Sequence, residues 1–318
     1  MDTRPLGSSP IRVSVVGLGC NNLGRSGTHT ERQEGATEVV LAALDAGVSF
    51  FDTADIYGKE FGLSERMLGV ALRGRRDEAV IGTKFGHVDY RPAAEGLPRG
   101  SRAYVRIAAE QSLERLGIDR IDLYQLHTPD PQTPIEETLG ALDELVREGK
   151  VRVIGHSNFS GDQARHAEAA AEELGTARFV SAQNEYNLLA RAAERDILPA
   201  AQELGLAFLP FFPLANGLFT GKFTRTERPA DTRISRQRPH VADDAPWDAM
   251  EAYAAYCADR GVTMLEATFG WLLARPALAS VIAGATRVEQ VRANAVAGSA
   301  WRPTPEEVAV IDALFPLR

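Results

Sequence analysis

Eight short apolar runs, separated by amphipathic segments of helical length, predict a (β/α)8 TIM barrel, an α/β fold with a parallel, eight-stranded core. The runs are continuous rather than alternating, as strands covered on both faces must be. A second observation removes the open doubly wound sheet, which needs a nucleotide-binding turn after its first strand. Gly17, Gly19 and Gly24 follow the first run with the spacing G-x-G-x-x-x-x-G, and no helix opens at the third glycine. No linker interrupts the alternation, so one barrel domain spanning 1–318 is expected.

Taken in order, a short polar lead precedes the apolar stretch Ile11–Val16, and the first strand covers 14–19. The others are Ser49–Phe51, Ala79–Thr83, Ile121–Leu126, Val151–Ile154, Phe179–Ala182, Leu206–Phe212 and Ser280–Ala283. Helical periodicity fills the gaps at Glu34–Ala46, Ser64–Arg73, Arg102–Leu116, Ile135–Arg147, Gln163–Leu174 and Ala192–Leu204, with Gly47 a natural stop for the first. A long loop after strand seven, Ala215–Pro246, is rich in Arg, Pro, Asp and Thr and reads as a lid or binding loop. Trp247–Arg260 and Thr263–Leu273 supply two helices before the last strand, and Thr304–Phe315 one after it.

A hydrophobic content of 44% and a net charge of −8 describe an ordinary globular protein and argue against a nucleic-acid surface. Cys20 and Cys257 are too few for a disulfide framework or thiolate metal site. The lead MDTRPLGSSP carries no apolar run, and no segment approaches the roughly 18 apolar residues of a membrane span. No signal peptide and no membrane partner are therefore expected, with the cytoplasm as location and oligomerisation left open.

Active sites of parallel barrels form where strands meet the loops that follow them. Strand two ends in Asp52 with Tyr57 on its loop, strand three in Thr83-Lys84, and strand four in Gln125-Leu126-His127. Strands five and six end in His156-Ser157-Asn158 and Gln183-Asn184-Glu185. Alone, Asp52 or Lys84 reads as half of a structural ion pair, and His127 as a core histidine. Convergence of all four on one face weakens each of those readings. One histidine and one carboxylate make a poor metal site, so no metal is expected.

A phenol beside a lysine has a definite use. Free tyrosine titrates near ~10, and a neighbouring ammonium favours its phenolate and lowers that value. Asp52 would keep Lys84 charged and oriented, and His127 could orient a substrate oxygen. Such a set suits protonation of an oxygen as it becomes an alkoxide, which is carbonyl reduction.

The segments GVSFFDTADIYG, IGTKFG, DLYQLHTPD, GKVRVIGHSNFS and AQNEYNLL make the chain resemble the aldo-keto reductases, especially their potassium-channel β-subunit-like branch, from Val13 to Asn294. The resemblance implies a catalytic tetrad of Asp52, Tyr57, Lys84 and His127, with Tyr57 the proton donor and NADPH, rather than NADH, the hydride source. The substrate would be a small-molecule aldehyde or ketone. A cofactor-sensing binding protein of the channel-subunit type is the alternative. By matching position, Ser157, Asn158 and Gln183 would hold the nicotinamide carboxamide, with Asp52 beside it. Pro213, Leu214, Gly217, Leu218, Thr220, Gly221 and Lys222 would cover the pyrophosphate. Gly284, Arg287, Gln290 and Asn294 would meet the adenosine end, with Arg287 the best-placed cation for a 2′-phosphate. Gly19 and Cys20 match the first strand end, where threonine is more usual than Cys20.

Other departures are Phe211-Phe212-Pro213-Leu214, where Tyr-Ser-Pro-Leu is usual, and Gly284, where some members carry lysine. Phe211 keeps a ring for stacking on nicotinamide. His156 has no assigned role, and His29, His87, His166 and His240 read as solvated. Arg115 and Arg120 read as surface charges, Cys257 as packing, and Trp247, Trp271 and Trp301 as anchors. Loops at Phe85–Arg102, Pro129–Thr133 and Ala215–Pro246 are candidates for the substrate wall. The first of these brings Arg91, Arg99 and Arg102, which read as solvated or as contacts for an anionic substrate.

Overall fold

The computed structural model describes residues 1–89, 94 and 96–317. It opens with an antiparallel hairpin, β1 (Thr3–Pro5) and β2 (Arg12–Ser14), followed by β3 (Val16–Gly19), α1 (Gln33–Asp45), β4 (Phe50–Asp52), α2 (Leu63–Ala71) and β5 (Val80–Phe85). Next come α3 (Arg102–Leu116), β6 (Ile121–Leu126), α4 (Ile135–Arg147), β7 (Val151–Ser157), α5 (Gly161–Leu174), β8 (Phe179–Gln183), α6 (Ile197–Glu203) and β9 (Ala207–Phe208). The remainder is α7 (Arg233–Gln237), α8 (His240–Asp243), α9 (Trp247–Asp259), α10 (Met264–Leu273), β10 (Val281–Gly284), α11 (Val288–Ala300) and α12 (Pro305–Leu314).

The eight predicted strands form one parallel sheet in the order β10-β3-β4-β5-β6-β7-β8-β9. Its two edges meet where Phe208 bridges Leu278 and the Ile282 N–H donates to the Pro210 carbonyl over 3.4 Å. Parallel register puts Asp52 level with Gly19 on one side and with Gly82 on the other. Farther round, Lys84 is level with Gln125, and Ser157 with Gln183. The polar strand ends are thereby gathered at one rim.

Helix ends follow local chemistry. Ser160 and Gln163 cap each other reciprocally at the start of α5, as do Thr263 and Glu266 at α10 and Thr304 and Glu307 at α12. Each box satisfies backbone donors that a helix start leaves unpaired.

Below the rim the barrel is apolar. Phe50, Leu123, Leu209 and Ile282 pack together, and the hairpin adds Leu6, Ile11 and Val13 from beneath. The polar lead of the sequence is therefore a plug. Arg4 fastens it, donating to the carbonyls of Leu278 at 2.6 Å and Leu273 at 2.8 Å. At the hairpin turn Gly7 adopts φ +59°, and a Cβ there would lie 2.1 Å from the Val180 carbonyl oxygen. Only glycine allows that approach.

Four expectations change. The segment Ala192–Leu204 is broken at Asp196 (φ −137°, ψ −82°) into a 3-10 turn and α6. The long loop after strand seven contains α7, α8 and a 3-10 turn at Ala215–Thr220. Arg115 is a packing residue, its Nε donating to the fully buried Glu65 over 2.6 Å, while Arg120 is exposed. Arg99 is also buried, held by the Gly86 and Pro129 carbonyls and the Thr128 hydroxyl. Arg102 pairs with Glu144 on the surface, and Arg91 lies outside the described residues. Cys257 and Trp271 are buried as anticipated, and Trp247 nearly so.

Leu6 is fully buried in the barrel floor. Leu6→Ala should lower the unfolding free energy by about 2–4 kcal/mol, as core truncations of this size do. Urea melts of the two proteins measure the difference.

Candidate active site

Strand β4 ends with Asp52 because Phe50 and Phe51 commit the strand to the core and Thr53 turns it at the rim. Lys84, one residue from the end of β5, is fully buried and gives two hydrogen bonds to Asp52, 2.7 Å to each oxygen, and a third of 2.8 Å to the Thr53 carbonyl. Its three donors are thus all used. Asp52 also accepts from the Gln183 amide at 2.9 Å and the Gln125 amide at 3.5 Å. Burial works against the ammonium, but Asp52 and Tyr57 outweigh it and hold the Lys84 pKa above its ordinary value.

Tyr57 stands above this pair, its ring centroid 5.1 Å from Lys84 Nζ and 5.9 Å from the His127 ring. Burial pushes the phenol upward more than Lys84 pulls it down, so its pKa lies above the ordinary value. That reverses the lowering expected from the lysine alone, because withdrawal from water penalises the phenolate more than one neighbouring charge favours it. Tyr57 is consequently a protonated phenol at neutral pH. His127 is driven well below the usual histidine range by burial, then by Lys84 and His87, and is a neutral imidazole. His87 is not merely solvated: it lines the cleft with its ring 4.6 Å from His127.

A cleft of about 1300 Å³ opens over Tyr57 and His127, larger than the ~300–1,000 Å³ typical of a small-molecule pocket. Gly19, Asp52, Ser157, Asn158, Gln183 and Phe211 line its deep end. The Ser157 hydroxyl donates to the Gln183 carbonyl at 2.7 Å, and Asn158, left-handed at φ 61°, donates to the His127 carbonyl at 2.9 Å. Pro213, Leu214, Gly217, Thr220 and Lys222 form one wall, and Gly284, Gln290 and Asn294 the far end. Lys84 lies behind the wall. Cys20 is buried with its thiol toward the Leu18 carbonyl, Leu218 is buried under the wall, Gly221 closes the 3-10 turn, and Arg287 is an exposed N-cap of α11; none of these four lines the cleft.

Residues that sequence reasoning did not assign to the site also contribute: Asn21, Asn22 and Arg25 after β3, Arg233 and Arg238 after β9, and Arg292 on α11, and Phe212, noted only as a departure from the motif, joins them. Backbone strain marks the same wall, with Phe212 (φ 51°), Ala215 (φ 46°) and Asn216 (φ 62°) all left-handed, at a cost on the order of 1–3 kcal/mol each. Of the candidate substrate loops, Ala215–Pro246 contributes many cleft residues, Phe85–Arg102 contributes His87, and Pro129–Thr133 none among the described residues.

The cleft suits an elongated polar ligand. Gly217 (φ +109°) has nothing within 4 Å of the space a Cβ would take, so its backbone is open to close approach. Asn216 Oδ1 is buried without a partner. A Cβ on Gly284 would come within 2.8 Å of Asn22 Nδ2 and narrow the passage between β3 and β10. A dinucleotide fits this donor set and shape. No group of three or more metal-ligating side chains occurs among the described residues.

A protonated phenol, a neutral imidazole and a buried ammonium–carboxylate pair thus stand together at the rim of a parallel barrel beside a long cleft. The family model described as the aldo/keto reductase family matches residues 15–315, and the chain belongs to that family, whose members generally use nicotinamide cofactors. It is 38% identical over 303 residues to the uncharacterized oxidoreductase YrpG of Bacillus subtilis (strain 168), covering 92% of this chain and 89% of the relative. It is 32% identical over 325 aligned positions to an L-glyceraldehyde 3-phosphate reductase of Escherichia coli O157:H7, covering 98% and 92%. The oxidoreductase YqkF of B. subtilis (strain 168), also uncharacterized, is 33% identical over 316 positions, covering 98% and 95%.

His156, beside the site, yields a pH prediction. Fully buried against Phe159 with no partner for either ring nitrogen, it is pushed by burial down to about 3. Unfolded histidine titrates near ~6.5, so the unfolded chain gains a proton that the folded chain refuses as pH drops. Stability from this residue is intact above that value and falls below it by up to about 1.4 kcal/mol per pH unit. Urea melts at pH 7, 6 and 5 should show this slope, and His156→Leu should flatten it.

Proposed function

We propose that this protein reduces a small aldehyde or ketone to an alcohol, with NADPH as hydride source and Tyr57 as proton donor. The observation that carries the reading is the arrangement of Tyr57 and neutral His127 over the Lys84–Asp52 pair at the cleft floor. A bound reduced nicotinamide supplies hydride to the carbonyl carbon. Tyr57, protonated at neutral pH, gives its proton to the carbonyl oxygen as negative charge builds there. Lys84 stabilises the phenolate left behind, and Asp52 keeps Lys84 charged and aimed. His127, neutral, can donate to the same oxygen and orient it. The carboxamide would rest against Ser157, Asn158 and Gln183, and Phe211 would stack on the ring.

The activity named for the E. coli relative, reduction of a small aldehyde, supports the same reading. A single barrel domain in a reducing cytoplasm belongs to the proposal, as does kinship with the channel β-subunit-like branch. With that kinship comes a second role, cofactor sensing with little turnover. Repeated NADPH oxidation in the presence of aldehydes separates the two.

Tyr57→Phe should reduce kcat at least ~100-fold, the loss expected for removal of a general acid, while NADPH binding stays within threefold. Steady-state rates and quenching titrations test both halves; a kcat close to wild type excludes Tyr57 as proton donor.

Preference for NADPH requires a cation at the adenosine end. Arg287 is exposed at the start of α11, and Arg292 and Lys222 stand on the cleft wall. NADPH should bind at least tenfold more tightly than NADH, which is about 1.4 kcal/mol. Arg287→Ala and Arg292→Ala, titrated with both cofactors, should show which guanidinium reads the 2′-phosphate: only its loss narrows the gap.

A further inference from the structure

The mouth of the cleft on the Tyr57 side holds positive charge that its surroundings do not neutralise. Arg25 comes from the loop after β3, and Arg233 and Arg238 from α7 and its end. Two contacts draw these loops together around Tyr57. The Lys59 N–H donates to the Gly24 carbonyl at 3.2 Å, and Arg236 donates to the Gly27 carbonyl at 2.5 Å. The guanidinium carbons of Arg233 and Arg238 lie 4.9 and 5.2 Å from the centre of the Phe212 ring. All three arginines line the same cleft as Tyr57 and His127.

Among the described residues, Arg25, Arg233 and Arg238 make no carboxylate ion pair, whereas Arg236 beside them is paired with Asp231 at 2.6 Å. Arg233 Nε is buried with no hydrogen-bond partner among the described residues, where the Arg25 side chain has only the Asn21 carbonyl at 3.3 Å. Burial, then Arg25 and Arg238, bring the Arg233 guanidinium down to about 10. Burial, then Arg238, also lower Arg25, and both arginines lie within electrostatic reach of Tyr57. Glu185, at the end of strand six, is an acid within electrostatic reach of Arg238, but among the described residues it makes no ion pair with it. Partly desolvated like charges without a counter-ion are costly, and guanidinium forks match the oxygens of a phosphate.

We propose that Arg25, Arg233 and Arg238 bind the phosphate of a phosphorylated aldehyde whose carbonyl lies at Tyr57. This rests on the reduction reading above and adds the class of substrate. A phosphate suits the cluster better than a carboxylate because it is close to a dianion and has three terminal oxygens for three guanidinium groups. The competing occupant is a phosphate of the cofactor itself. Lys222 and Arg292 stand on the wall and far end of the cleft, with the segment Gly284–Asn294, and leave the Tyr57-side cluster for the substrate.

The test has a binding arm and a turnover arm. Calorimetric titration of the full chain, with and without NADP⁺, should show glycerol 3-phosphate binding and glycerol not binding. Arg25→Gln and Arg233→Gln, checked by thermal melts for folding, should each weaken glycerol 3-phosphate at least tenfold. In turnover with NADPH, kcat/KM for glyceraldehyde 3-phosphate should exceed that for glyceraldehyde at least tenfold, and each variant should collapse that ratio. Equal binding of glycerol and glycerol 3-phosphate overturns the proposal. So do variants that weaken NADPH while the substrate ratio holds, which would assign the arginines to the cofactor. Arginine-dependent binding of glycerol 3-phosphate without turnover of either aldehyde would remove the reduction reading while upholding the anion site.

Discussion

The ion pair between Lys84 and Asp52 is the contact on which the rest of the site depends. Both groups are out of water, and an isolated charge in either position would cost several kcal/mol. The fold answers with a full set of partners: three acceptor atoms for the ammonium and two amides for the carboxylate. Those partners come from β4, β5, β6 and β8, so the pair also fixes the relative height of four strands at the rim. Tyr57 and His127, beside this pair, owe their protonation states first to their own burial. The same burial that keeps the phenol protonated keeps the imidazole neutral, and Lys84 adds to the second effect while opposing the first. Opposite shifts in adjacent groups are what acid–base chemistry at neutral pH requires.

Strand positions were legible because the runs are mostly apolar and several of them turn abruptly polar at the end. Phe50-Phe51-Asp52 and Gly82-Thr83-Lys84 are examples, and the register of a parallel barrel makes such ends neighbours in space. Helices were legible where a capping residue and a glycine stop agree, as in α3 between Ser101 and Gly117. The hairpin was hidden because β1 reads Thr-Arg-Pro, with no apolar pattern; its pairing comes from β2 and its fastening from Arg4. Arg115 and His87 were misjudged for a related reason. Whether a polar side chain is solvated depends on what faces it across the fold, here Glu65 and His127, and spacing along the chain does not contain that.

The cleft wall after β9 shows where sequence reading and structure differ most. Its composition announces a loop, but the left-handed backbone at Phe212 and Ala215, with Asn216 beside them, does not follow from propensity, since neither Phe nor Ala favours that region. Such backbone is held only when surrounding contacts over-determine it. Asn187 supplies one, donating to the Phe212 carbonyl at 3.0 Å, and Leu218 and Phe219, packed underneath, supply others. These contacts hold the wall in place, with the Phe212 ring turned against Arg233 and Arg238.

The hairpin beneath the barrel has a consequence beyond packing. Phe50 and Leu123 lie two residues below Asp52 and Gln125 on their strands, and Leu6, Ile11 and Val13 seal the layer under them. Water that reached this floor would stand within a few side chains of the ammonium–carboxylate pair and raise the local dielectric response, weakening the field that Tyr57 and His127 experience. Leu6, Ile11 and Val13 thus act as electrical insulation: residues at the far end of the molecule, carrying no charge, help set how strongly the charged ones at the rim are felt.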